Sequence, residues 1–138
     1  MLITQKVCPC ILRKKGGHTE ILGLEHPTAG LQFIKGSIEI GEVPALAALR
    51  ELREESGLTP ETQMTFLGVC RIGPNAQPWH FFSSMSSGLP ETWQHETEDD
   101  HGHTFVFFWH RLDMALNEKW HRDFHEAHKF LTRVLIPE

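Results

Sequence analysis

Residues 36–58 read GSIEIGEVPALAALRELREESGL, and the folding of the chain turns on this stretch. From Ser37 to Val43 no periodicity is sustained and Gly36 and Gly41 punctuate the run, so it reads as a loop. Pro44 then stands where a first-turn proline is tolerated, strong helix formers follow, and Gly57 supplies a left-handed stop. On a helix of 3.6 residues per turn, Ala45, Ala48, Leu49 and Leu52 fall on one side. Glu51, Glu54 and Glu55 cluster opposite them, which predicts that the leucines anchor and the glutamates face outward. Carboxylates at i, i+3 and i+4 are close neighbours that repel one another. In a cleft of effective dielectric near 20, two unit charges about 4 Å apart cost roughly 4 kcal/mol, which a counter-cation relieves. Hard oxygen ligands select Mg²⁺ or Mn²⁺. An ordinary surface helix, with Arg50 and Arg53 pairing with the glutamates in water, is the other reading of the same residues.

Outward from this segment, Val7 to Leu12 and Thr19 to Leu24 suit strands, and Lys15-Gly16-Gly17-His18 between them supplies a hairpin turn. Leu31 to Lys35 is a further extended stretch that runs into Gly36. Beyond the helix, Thr65 to Arg71, Trp79 to Met85 and Thr104 to Leu112 are rich in aromatic and β-branched residues, which predicts three more strands. The polar segment from Ser83 to Asp100 is expected to hold the longest irregular loop. From about Lys119 to Leu135, Trp120, Phe124, Ala127 and Leu131 recur at helical spacing with Pro137 just beyond, which predicts a closing amphipathic helix. Strands, a helix, more strands and a last helix describe a mixed α/β domain.

Read from Gly36, the segment satisfies Gly-x5-Glu-x7-Arg-Glu-U-x-Glu-Glu-x-Gly-U, where U is a bulky aliphatic residue. Gly36, Glu42, Arg50, Glu51, Leu52, Glu54, Glu55, Gly57 and Leu58 fill all nine fixed positions. This pattern resembles the Nudix box of the Nudix hydrolases. The resemblance implies a single Nudix domain over 1–138, an α/β/α sandwich with a mixed sheet in which the box forms a loop, a helix and a loop. It implies hydrolysis of a diphosphate linkage in a nucleoside diphosphate joined to another moiety, with Mg²⁺ or Mn²⁺ required. Carried over by position, Glu51, Glu54 and Glu55 resemble the family's metal-binding and water-activating glutamates, and the Gly36 carbonyl a further metal ligand. Arg50 would orient the carboxylates and Glu42 would pair with Arg50. A nucleotide-binding or regulatory module built on the same domain is the alternative function. In the family branch that cleaves dinucleoside polyphosphates a glutamate often precedes the next strand in a His-Glu-Phe setting. Here the run is His103-Thr104-Phe105.

Outside the box, the acidic run Glu96, Glu98, Asp99 and Asp100 precedes a strand. Glu98, Asp99 and Asp100 are candidate extra carboxylates for the metals, with a solvated loop as the other reading. Trp79 and Phe81 share a strand face that offers either a base-stacking platform for substrate or core packing. His121, His125 and His128 stand at i, i+4 and i+7, a spacing that binds zinc when other ligands join, or forms a solvated helix face. Cys8 and Cys10 project to one side of a strand and read as buried, inert thiols. Arg13, Lys14 and Lys15 suit a charged hairpin turn or a phosphate contact.

Thirteen Lys and Arg against 18 Asp and Glu give a formal charge of −5, which disfavours loose binding to nucleic acid or an anionic membrane. A small-molecule nucleotide-type diphosphate is the expected partner, its charge offset by metal, and homodimerisation is left open. Three cysteines without paired spacing disfavour a disulfide framework. The N-terminal run MLITQKVCPCILRKK matches neither a secretory signal nor a spanning helix, so the expected location is cytoplasmic. A hydrophobic content of 40% is enough for a core without staples.

Overall fold

The computed structural model describes residues 3–98 and 102–136. Its elements are β1 (Lys6–Lys15), β2 (His18–His26), β3 (Gly30–Phe33), β4 (Gly36–Ser37) and α1 (Pro44–Ser56), followed by β5 (Thr65–Ile72), β6 (Gln77–Met85), β7 (Trp93–Glu96), β8 (Thr104–Arg111) and α2 (Arg122–Leu135). The main sheet runs β5-β6-β1-β2-β8-β7. Among the described strands β1 and β6 pair in parallel and the other pairs are antiparallel, so the sheet is mixed.

The pairing of β1 creates the functional end of the sheet. Its second half pairs with β2 from Leu12 to Lys15, as the predicted hairpin requires. Its first residues, Lys6 and Val7, pair instead with Ser37 and Gly36 of β4, while Gly23–His26 of β2 pair with β3. Strands β1 and β2 therefore separate, and β3 and β4 fill the gap and carry Gly36 beneath α1.

Alternation along β1 divides the core between the two helices. Val7 joins Phe82, Ala47 and Ala48, and Ile11 joins Leu22, Leu24, Ile34, Phe105, Phe107 and Leu52, all under α1. Cys8, Cys10 and Leu12 point the other way, into a larger core closed by Phe124, Ala127, Phe130 and Leu131 of α2. This is the α/β/α sandwich expected from the box. The thiols of Cys8 and Cys10 are buried 3.8 Å apart, and burial raises the Cys8 pKa well above the ordinary thiol value.

Three expectations need correction. The helix α2 starts at Arg122 rather than near Lys119, because the His121 ring accepts a hydrogen bond from Asp123 N and caps the helix. Trp120 precedes the helix yet stays in the same core, bridged to Leu31. The polar segment from Ser83 to Asp100 is broken by β7, which pairs with β8 and stacks Trp93 on Phe107 at 5.0 Å. A longer stretch without helix or ladder runs from Leu112 to His121, and histidines fasten it: His128 Nε2 donates to Leu112 O at 2.8 Å and His125 Nε2 contacts the Asn117 and Trp120 carbonyls. These rings thus serve the fold, and no metal-holding group of three His, Cys, Asp or Glu occurs among the described residues.

Burial, more than the bond to Leu112 O opposes it, lowers the His128 pKa below 6.5, and the neighbouring His110 and His125 push the same way. The unfolded chain then binds the proton more readily than the folded one. The stability linked to His128 is complete above about pH 6.5 and is lost as pH falls towards the folded-state pKa. Thermal unfolding measured between neutral and mildly acidic pH is expected to show a shallower acid loss in His128→Gln than in the parent chain. Equal slopes would remove His128 from the balance.

Candidate active site

Helix α1 begins at Pro44 and ends where Gly57, at φ 78°, donates its N–H to Arg53 O at 2.8 Å. A side chain at Gly57 would be strained by that φ, and its Cβ would lie 3.0 Å from the His95 ring. The face of α1 turned to the sheet is Ala47, Ala48, Glu51, Leu52 and Ser56, which differs from the expected Ala45, Ala48, Leu49 and Leu52. Leu49 is 38% exposed, whereas Glu51 is 6% exposed, so the glutamates do not all face outward. Small residues at 47 and 48 let the helix lie close on Val7 and Phe82, and that contact sets its rotation.

A buried carboxylate demands partners, and two features supply its place. Gly36 has no side chain where Glu51 passes: an added Cβ would stand 1.9 Å from Glu51 Cδ and 2.1 to 2.2 Å from its two oxygens. Arg50 supplies the charge. Its Nη1 donates to Glu51 Oε1 at 2.8 Å and to Glu54 Oε2 at 3.3 Å. Its Nε and Nη2 form a two-pronged pair with Glu42, both at 2.8 Å, and Nη2 also donates to Ser37 O at 2.9 Å. Every donor of the guanidinium fork is used, which a lysine could not reproduce. Hydrogen bonds from Arg50 hold Glu42 down at a pKa of about 2, and the Arg50 pKa rises in turn. Glu55 is oriented separately, its Oε1 accepting from Lys35 N at 3.4 Å.

Glu51 and Glu55 face a cavity of about 500 Å³ that Gly36, Ser37, Glu39, Arg50, Lys6 and Lys35 complete. Its carboxylates and backbone carbonyls are hard oxygen donors of the kind Mg²⁺ and Mn²⁺ prefer. The cradle at Gly36 brings the backbone and the Glu51 carboxylate together there. The donor chemistry fits such a cation, but Arg50 draws Glu51 and Glu54 towards itself, Glu54 does not line the cavity, and among the described residues the three box glutamates do not converge as a ready-made metal-holding group. A model of the NUDIX domain family matches residues 5–130. The chain belongs to the Nudix family. It is similar to an RNA pyrophosphohydrolase of Roseobacter denitrificans, 27% identical over 93 residues, which make up 67% of this chain and 54% of that one. The chain thus spans about half the length of that curated relative. Among solved structures, an Ap4A hydrolase binary complex from C. elegans has a TM-score of 0.67 at 19% identity, covering 97% of this chain and all of that one. The NUDIX domain of Shewanella oneidensis NrtR, solved with ADP ribose, has a TM-score of 0.63 at 14% identity, covering 96% and 90%. At such identities the structural likeness is one of fold.

Trp79 and Phe81 are 1% and 0% exposed and pack against Phe124 and Phe130 of α2. They form core rather than a stacking platform, because both rings point to the face of the sheet that α2 covers. Glu98 is exposed, and Asp99 and Asp100 lie outside the described residues. Arg13 pairs with Glu20 and Glu91, Lys15 with Glu91, and Lys14 Nζ donates to Thr19 Oγ1, so the hairpin end holds its own charges.

Three neighbours of the site escaped the sequence reading. His95 lies against Gly57, its Nε2 buried with no hydrogen-bond partner among the described residues, and no spacing rule links it to the box. Lys6, the first residue of β1, and Lys35, between β3 and β4, line the cavity, and no spacing rule links them to the box. Burial lowers the Lys6 pKa, as does the nearby Lys35 ammonium, against the pull of Glu51 and Glu55.

Proposed function

We propose that this chain is a Mg²⁺- or Mn²⁺-dependent hydrolase that cleaves a diphosphate linkage in a nucleoside diphosphate joined to another moiety. One observation carries the proposal: a Cβ added at Gly36 would stand 1.9 Å from Glu51 Cδ, so the box glycine and the box glutamate meet beside a cavity that Glu39, Glu51 and Glu55 line together with Lys6, Lys35 and Arg50. Glu51, Glu54, Glu55 and the Gly36 carbonyl would hold the cation, with Glu42 held to Arg50 and taking no part in the chemistry. Bound there, Mg²⁺ or Mn²⁺ supplies positive charge to the phosphate oxygens and acidifies water. Arg50 keeps Glu51 and Glu54 aimed from one side, so their geometry is set before substrate arrives. Glu54 or Glu55 accepts the proton of the attacking water at a carboxylate oxygen. The name of the Roseobacter relative supports a pyrophosphate bond as the target.

Among the described residues no helix is long and apolar enough to cross a membrane. The free thiols of Cys8, Cys10 and Cys70 support a reducing compartment, and we place the protein in the cytoplasm as a single Nudix domain over 1–138.

Purified protein is to be assayed with Mg²⁺, with Mn²⁺ and with EDTA. The substrates are sugar nucleotides, ADP-ribose, nicotinamide dinucleotides, nucleoside triphosphates, dinucleoside polyphosphates and capped RNA. The expected result is metal-dependent release of phosphate-bearing products from at least one class, abolished by EDTA. Folded, metal-supplemented protein that turns over none of them yet binds a nucleotide would replace the hydrolase with a nucleotide-binding or regulatory module.

A further inference from the structure

We infer that residues 3–5 and the loop 38–44 form a second subsite, which takes an uncharged sugar ring joined to the diphosphate and turns further phosphate away. The place of the diphosphate in the box cavity rests on the hydrolase reading, whereas the second cavity is built largely by other residues. It has a volume of about 550 Å³, within the roughly 300–1,000 Å³ of small-molecule sites, and Glu39 lines both cavities. Arg50 lines the box cavity and Glu42 the second, and the two 2.8 Å bonds between them stand where the cavities meet. The loop is pinned. Glu42 N donates to Glu39 O at 2.9 Å, Glu39 N donates to Glu42 Oε1 at 3.0 Å, and Ile38 N donates to Gln5 O at 2.9 Å. Gly41, at φ 78°, makes the turn, and Ile40 beside it is held 97% exposed.

The lining decides what enters. Ile3, Ile38, Ile40 and Pro44 supply apolar surface for the carbon–hydrogen face of a ring, and Thr4 and Glu39 supply polar groups for its hydroxyls. No Lys or Arg among the described residues lines this cavity, whereas Lys6, Lys35 and Arg50 line the box cavity. The Arg50 guanidinium beside it is already shared: it stands 3.8 Å from Glu39, 2.8 Å from Glu42 and from Glu51, and 3.3 Å from Glu54. Four carboxylates about one cation leave the rim negative. A further phosphate entering here meets like charge with no cation to offset it, while a sugar hydroxyl can donate to a carboxylate. Repelling the wrong group separates two ligands as effectively as attracting the right one. The chain therefore prefers nucleoside diphosphate sugars to nucleoside triphosphates.

Matched pairs isolate the group in question: ADP-ribose and ATP, or UDP-glucose and UTP, share a nucleoside diphosphate and differ in carrying a sugar or a phosphate beyond it. Their binding is measured calorimetrically with EDTA and with Mg²⁺, and KM by product release where turnover occurs, in the parent, Ile40→Lys, Glu39→Gln and Ile40→Leu. The parent is expected to bind each sugar nucleotide more tightly than its triphosphate. Ile40→Lys is expected to shift that ratio about tenfold towards the triphosphate, Glu39→Gln to shift it the same way by less, and Ile40→Leu to keep it. Ile40 belongs to none of the buried clusters, and melting temperatures report that each variant folds. A parent that favours the triphosphates or binds neither member of a pair, or a ratio unmoved in folded Ile40→Lys and Glu39→Gln, would overturn the subsite even if sugar nucleotides are hydrolysed. A ratio that follows the charge at 39 and 40 in a chain that hydrolyses nothing would uphold the subsite and sink the hydrolase.

Discussion

Gly36→Ala is expected to lower kcat/KM on the compound cleaved by the parent chain by about 10²-fold or more, since a displacement of roughly 1 Å at a reacting group is enough for that loss. The new methyl group would stand 1.9 Å from Glu51 Cδ, a separation that no pair of non-bonded carbons tolerates. Something must move, and Glu51 is the flexible member of the pair. Its carboxylate would swing away from the Gly36 backbone, giving up or bending the 2.8 Å bond from Arg50. The fold should survive, because Arg50 keeps Glu42 and the Ser37 carbonyl, and the cores under α1 and α2 are untouched. A stability cost of about 1–2 kcal/mol, one charged hydrogen bond, is expected from chemical denaturation. Gly57→Ala is the matching control: it strains a left-handed backbone at φ 78° and leaves the Gly36 cradle intact. Activity in Gly36→Ala equal to the parent's would mean that contact between the box glycine and Glu51 is unrelated to turnover.

That contact also marks the limit of what the residues disclose in one dimension. The bounds of α1 follow from Pro44 and Gly57 alone, because proline and glycine act on the backbone whatever surrounds them. The hairpin of β1 and β2 is legible from the glycines of its turn, and β6 and β8 from their runs of aromatic residues, which pack on both faces of the sheet. Glu51 is different. Periodicity assigns a carboxylate to solvent, and only the absence of a side chain fifteen positions earlier, joined to the Arg50 fork, makes burial tolerable. The rotation of α1 that exposes Leu49 and buries Ala47 is likewise set by what lies beneath it. Strand β7, with the sequence WQHE, has no alternating signature, and it exists because β8 offers an open ladder and Phe107 a ring for Trp93 to stack on. Lys6 and Lys35 are the extreme case: 29 positions separate them, and the splitting of two strands is what brings both to the cavity.

Glu54→Gln and Glu55→Gln are each expected to cut metal-dependent turnover by about 10²- to 10⁴-fold, the range that separates a working general base or charge-bearing ligand from its absence. Both substitutions are unusually clean. The amide oxygen of a glutamine at 54 can still accept from Arg50 Nη1, now 3.3 Å away, and one at 55 can still accept from Lys35 N, now 3.4 Å away. What each variant loses is one negative charge at nearly constant shape. The effect on folding should therefore be small and its sign favourable, since three carboxylates within one turn of helix repel one another. A steady-state titration with Mg²⁺ separates the roles. A residue that chiefly holds the cation raises the half-saturating concentration, and excess metal restores part of the rate. A residue that chiefly accepts the proton lowers kcat at every metal concentration and leaves half-saturation near the parent value. Glu98→Gln is the comparison, because Glu98 is exposed on the segment after β7 and lies outside the box helix. Near-parental turnover in both box variants, with loss in Glu98→Gln, would move the reacting carboxylate out of α1 and onto the segment before β8.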